Sequence, residues 1–162
     1  MDTEASIEWK AQQADAWLRD ARNMWKECAR LQAMARDARE MADGLRAVRY
    51  DTIGGGSGMA HGDDAIAARL VRLEAIEQRY TDALIDACDF RSEAWECIDK
   101  VQDATSRLLL QSYYIDCETW ERSAERVGYS YRYAFGTLRP RALASVWEFM
   151  PARYREPLEP AI

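Results

Sequence analysis

The sequence predicts an all-α protein: a long, coiled-coil-like helical hairpin followed by a C-terminal helix-turn-helix. Three observations predict it. Glycine and proline together number 12 of 162 residues, 8 and 4, too few for a turn-rich β fold. Ala, Arg, Glu and Leu abound and favour helix. Apolar residues recur in steps of three and four along two long stretches, the spacing of one helical face. Hydrophobic residues make up 48% and charged residues 31%, enough apolar material for a packed core, which excludes wholesale disorder.

The elements are taken in chain order. Residues 1–50 carry a long helix. Its stripe runs Ile7, Ala11, Ala14, Leu18, Ala21, Trp25 and Cys28, then continues through Leu31, Met34, Ala35, Ala38, Met41, Ala42 and Leu45. The period is heptad-like, and Thr3 or Ser6 is placed to cap the start. Residues 51–62 break the helix as a Gly-rich linker, with four glycines and a serine at 54–58. Glycine-rich turns also cradle phosphate, but the Walker pattern requires a lysine that is missing here. Asp63 and Asp64 suit a helix N-cap instead. Residues 63–104 form a second long helix with Ile66, Leu70, Leu73, Ile76, Tyr80, Ala83, Ala87, Phe90, Ala94, Cys97 and Val101 on one face. Two such stripes are buried either against each other in an intrachain hairpin or in a homodimer. Residues 105–150 make the helix-turn-helix domain, and 151–162 a tail.

Several functions are disfavoured. No apolar run is long enough to span a bilayer, and the acidic Met-Asp-Thr-Glu start lacks the apolar core of a secretory signal. Cys28, Cys88, Cys97 and Cys117 have no zinc-ligand spacing and, with the single His61, read as free thiols of a cytoplasmic protein. Asp82, Asp86, Asp89 and Glu93 lie at helical spacing as a solvated face. No nucleophile motif accompanies them, so the expectation is no enzyme, no cofactor and no metal.

Charge is more informative. Net charge is -6, yet residues 105–162 carry 8 basic against 7 acidic side chains. Within 122–155 seven arginines (122, 126, 132, 139, 141, 153, 155) face two glutamates, Glu125 and Glu148. A basic stretch on an acidic protein fits a polyanion partner or an ordinary arginine-rich surface.

That stretch also has turn chemistry. Thr119 caps a helix beginning at Trp120, although Arg122 stands where a capping box places Glu. Trp120, Ala124 and Val127 form its buried face. Gly128 ends it in the left-handed manner, Tyr129 is a half-buried link, and Ser130 caps the next helix, Tyr131-Arg132-Tyr133-Ala134-Phe135. This is the grammar of a helix-turn-helix. Tyr131, Arg132 and Tyr133 would then face base edges beside the Ser130 cap, and Arg139 and Arg141 phosphates. The competing possibility is a plain helical corner.

The run from Tyr114 to Arg132, with Trp120-Glu121, Ala124-Glu125 and Gly128-Tyr129-Ser130, and the later Arg141-Ala142-Leu143, resembles the C-terminal module of phage ArpU/RinA-type transcriptional regulators, which look like region 4 of sigma-70 factors. The resemblance covers about residues 45–147. It implies a DNA-binding transcriptional regulator of bacterial or prophage origin, with double-stranded DNA as partner and RNA polymerase as a second one. Four positions depart from the pattern: Cys117 stands where glycine is usual, Ser123 replaces an apolar residue, and Gly136 and Pro140 fall within the expected recognition helix. Pro140 predicts a helix end or kink near Leu138 and a last helix over about 140–149. The alternative function is a helical interaction or scaffold protein with a degenerate helix-turn-helix.

Overall fold

A computed structural model describes residues 3–53 and 60–156, with side chains described outside 52–53 and 60–63. Residues 54–59 of the expected linker and 157–162 of the tail lie outside the described residues. Helix α1 spans Glu4–Ile53, α2 Ala60–Asp99, α3 Ala104–Leu110, α4 Trp120–Val127, α5 Tyr131–Tyr133 and α6 Arg139–Trp147. Two π turns, Gln111–Ile115 and Ala134–Leu138, extend α3 and join α5 to α6, and a 3-10 turn covers Ala152–Tyr154. No strand forms among the described residues, so the fold is all-α.

The long helices start and stop for local reasons. Thr3 takes the position before α1, its carbonyl accepting from the amides of Ser6 and Ile7 at 2.9 and 3.1 Å. The second helix starts at Ala60, three residues before the expected boundary, so Asp63 and Asp64 lie inside it rather than capping it. It also stops earlier than its stripe suggests. Asp103 accepts from the Ser106 amide at 2.8 Å and so starts α3 afresh, while Arg107 donates to the Val101 carbonyl at 2.7 Å.

The chain divides into two units whose boundaries differ from the expected ones. In the first, residues 3–26 of α1 fold with 89–156. Its core joins Ala14, Leu18 and Ala21 of α1, Ala94 and Ile98 of α2, and Leu110, Tyr114, Leu143, Val146 and Met150. The start of α1 therefore belongs to the core of the helix-turn-helix unit. A buried Leu of this kind stabilises by roughly 1.5–3 kcal/mol. A smaller cluster of Leu109, Ala124 and Ala134, flanked by Trp120, Val127 and Leu138, joins α3, α4 and the second π turn.

In the second unit, residues 27–88, Cys28, Ala38, Ala42, Leu70 and Ala87 are buried. Arg46 of α1 pairs with Glu74 of α2, so the two helices meet within one chain there. The buried stripe is narrower than its spacing suggests: Met41 (63% exposed) and Ile76 (36%) face outward. No helix among the described residues is long and apolar enough to cross a membrane.

Candidate nucleic-acid interface

The turn chemistry read from the sequence is present atom by atom. Thr119 Oγ1 accepts from the Arg122 amide at 3.2 Å. Gly128 adopts φ +76°, and the amides of Gly128 and Tyr129 close α4 onto the Glu125 and Ala124 carbonyls at 3.1 and 3.2 Å. Only glycine takes that φ without steric cost. Ser130 Oγ accepts from the Tyr133 amide at 3.3 Å and starts the second helix of the motif. Buried Ser123 is satisfied: its hydroxyl donates to the Thr119 carbonyl at 2.8 Å and lies 3.0 Å from Ser112 Oγ. Cys117, where the resemblance expects glycine, has φ +58°, the left-handed conformation that glycine favours.

Near Leu138, where an end or kink is expected, the helix does not stop but widens into a π turn. It passes through the π turn, where the Arg139 amide bonds the Ala134 carbonyl, directly into α6, with Pro140 in the first turn of α6. Pro140 has no amide to donate, and it follows the widened turn, where the regular i→i−4 bonding is already interrupted.

That turn decides where Arg139 goes. In an uninterrupted α-helix residues seven apart share a face, so Arg132 and Arg139 would point the same way. The extra residue of the π turn rotates the rest of the helix by about 100°. Arg139 turns inward as a result. Its guanidinium lies 3.1 Å from Asp15 Oδ1 and over the rings of Phe135 and Trp120, at 4.6 and 5.1 Å. Its side chain is only 20% exposed, and the expected phosphate contact is corrected to an interior ion pair.

Asp15 is the centre of that pair. The Tyr114 hydroxyl donates to it and Arg19 caps it from outside. Burial alone would raise the Asp15 carboxyl, but the Tyr114 bond and the Arg139 and Arg19 charges outweigh it and hold it below the ordinary range. Burial, then the Asp15 charge, drives the Tyr114 phenol well above its usual value. The sequence signal for this network was a lone carboxylate on the apolar face of α1, between Ala11 and Leu18.

The other expected residues are outward. Tyr131, Arg132, Tyr133 and Arg141 are exposed, and so is Tyr129 (46%), expected as half-buried. Tyr129 and Tyr133 pack ring to ring at 4.8 Å. Ser130, Arg132 and Tyr133 share a shallow concavity with Gly136 and Thr137. Arg141 borders a neighbouring cleft with Gly136, Thr137 and Pro140, whose far wall carries Glu4 and Glu8 of α1.

Other arginines of the basic stretch are occupied. Arg122 pairs with Glu125, Arg126 with Asp116 and Glu118, and Arg153 with Glu93, and Arg155 lies over Trp147. Arg132 and Arg141 pair with no carboxylate and stack on no ring among the described residues. No group of three His, Cys, Asp or Glu among the described residues is placed to hold a metal ion. Burial raises the thiols of Cys97 and Cys117, which lowers their reactivity. No family model, curated protein or solved structure matches the chain.

Proposed function

We propose that the chain is a DNA-binding transcriptional regulator of bacterial or prophage origin. It sets the helix that begins at Tyr131 into a major groove of double-stranded DNA in the cytoplasm. One observation supports this most: of the seven arginines in 122–155, Arg132 and Arg141 are the two left exposed and unengaged among the described residues, both on the second helix of a fully capped helix-turn-helix. Arg132, in the first turn after the Ser130 cap, is placed for a bidentate pair with guanine O6 and N7. Arg141 takes a phosphate, and exposed Tyr131 and Tyr133 widen the contact. RNA polymerase is the second partner that the sigma-like pattern suggests, and a homodimer would present two such helices to two half-sites.

A second reading, a helical interaction protein, draws on the apolar side chains that the 27–88 unit leaves outward, Met41, Val48, Tyr50, Val71 and Ile85. Gel retardation with random duplex at low salt separates the two. A DNA binder shows a non-specific dissociation constant of about 10⁻⁴–10⁻⁶ M at physiological salt, tightening steeply as salt falls. A chain that retards no duplex at low salt is the interaction protein instead.

A further inference from the structure

Apart from the DNA-reading face, the first unit holds a cleft of about 730 Å³ between α1, Phe90 of α2 and the closing 3-10 turn. Its wall carries four aromatic side chains, Trp9, Trp17, Phe90 and Tyr154, and two carboxylates, Asp20 and Glu156. No Lys or Arg is among its described lining residues. Asp20 and Glu156 form no ion pair among the described residues, whereas nearby Asp15, Glu93 and Glu148 are all paired with cations. Aromatic faces attract cations, and paired carboxylates deepen that attraction. The unit already uses such contacts: Arg153 covers one face of Tyr154 at 4.7 Å, and Lys10 lies over Trp147 at 5.1 Å.

We infer that this cleft binds a small organic ammonium ion. The rings and the two carboxylates hold its charge. An anion would meet Asp20 and Glu156, and a plain hydrocarbon would leave the carboxylates unanswered.

The test titrates the full chain with choline and with its uncharged carbon isostere, 3,3-dimethylbutan-1-ol. Tryptophan fluorescence is one readout, since Trp9 and Trp17 line the cleft, and saturation-transfer NMR is the second. Choline is expected to bind about tenfold more tightly than the isostere. The double variant Asp20→Asn/Glu156→Gln changes exposed carboxylates to amides, and circular dichroism checks its fold. It is expected to lose about tenfold for choline and nothing for the isostere. Equal affinity for the two compounds, no saturable choline signal by either readout, or undiminished choline binding by the folded double variant would overturn the assignment. None of these readouts involves DNA, so the result stands apart from the DNA-binding proposal.

Discussion

Arg139 reaches from the first turn of α6 to Asp15 in the first third of α1, 3.1 Å from guanidinium to carboxylate. The contact fastens the end of the proposed DNA-reading helix to a helix that begins more than a hundred residues earlier in the chain. Removing Arg139 leaves Asp15 only the Tyr114 hydroxyl and Arg19 as partners. Arg139→Ala is expected to lower unfolding free energy by about 1–3 kcal/mol, read by urea denaturation. Were Arg139 a phosphate ligand instead, the variant would leave stability unchanged and lower the salt slope of DNA binding by about one unit.

The same network sets a pH dependence. The native Asp15 carboxyl lies below its ordinary value, so its contribution to stability is complete above the unfolded value of about 4 and is lost as pH falls through the lower native value. Tyr114 behaves oppositely. Its native phenol is raised, so its contribution is complete below about pH 10 and is lost as pH rises beyond it. Urea midpoints between pH 2 and 11 should therefore fall at both ends. Asp15→Asn should flatten the acid limb, and Tyr114→Phe the alkaline one; limbs identical to those of the unsubstituted chain would contradict the assignment.

Arg132 and Arg141 should separate in DNA binding. Arg132→Ala is expected to remove about 1–3 kcal/mol of discrimination at one base position. Arg141→Ala should weaken all duplexes alike and lower the salt slope by about one unit. Binding by Arg132→Ala to a selected site with unchanged affinity and preference would refute the base-reading role.

Cys117 offers a stabilising substitution. Its φ of +58° costs an L-residue roughly 1–2 kcal/mol that glycine does not incur. Cys117→Gly should raise stability by up to about 1 kcal/mol once the greater freedom of the unfolded glycine is set against the relief. A lower urea midpoint would show that the thiol's packing matters more than the backbone.

The buried Ser112–Ser123 pair gives a non-additive test. Ser123→Ala takes from the Ser112 hydroxyl its neighbour, at about 1 kcal/mol or more, whereas Ser112→Ala leaves Ser123 its bond to the Thr119 carbonyl and should cost less. Replacing both should cost less than the sum of the singles, because no polar group then lacks its partner. Strict additivity in a double-mutant cycle would mean that the two hydroxyls do not interact.

Legibility in the sequence tracks the range of the forces involved. Thr119, Gly128 and Ser130 act on amides within four residues, so their roles were legible from local spacing. The long stripes were legible too, because burial repeats along one face. Arg139 was read as a phosphate ligand from its place in the basic stretch; Gly136 and Pro140 marked an irregularity nearby, but not the widened turn that carries Arg139 to Asp15. The participation of residues 3–26 in the helix-turn-helix core depends on pairs such as Asp15 with Tyr114 and Gln13 with Trp147, which no local pattern encodes. Met41 and Ile76 fit the period and still face outward, since periodicity identifies a face without setting its width.

Both inward partners of Asp15 depend on a widened turn: Tyr114 sits within Gln111–Ile115, and Arg139 comes immediately after Ala134–Leu138. In this unit chain length is itself a structural variable. Deleting Gly136 would leave every side chain of the Asp15 network chemically intact and still swing Arg139 off its carboxylate, along with Leu143 and Val146 off the core. A substitution at the same place changes one contact, whereas a deletion reindexes all of α6. Within Ala134–Leu138, therefore, the number of residues matters more to the Asp15 network than their identity.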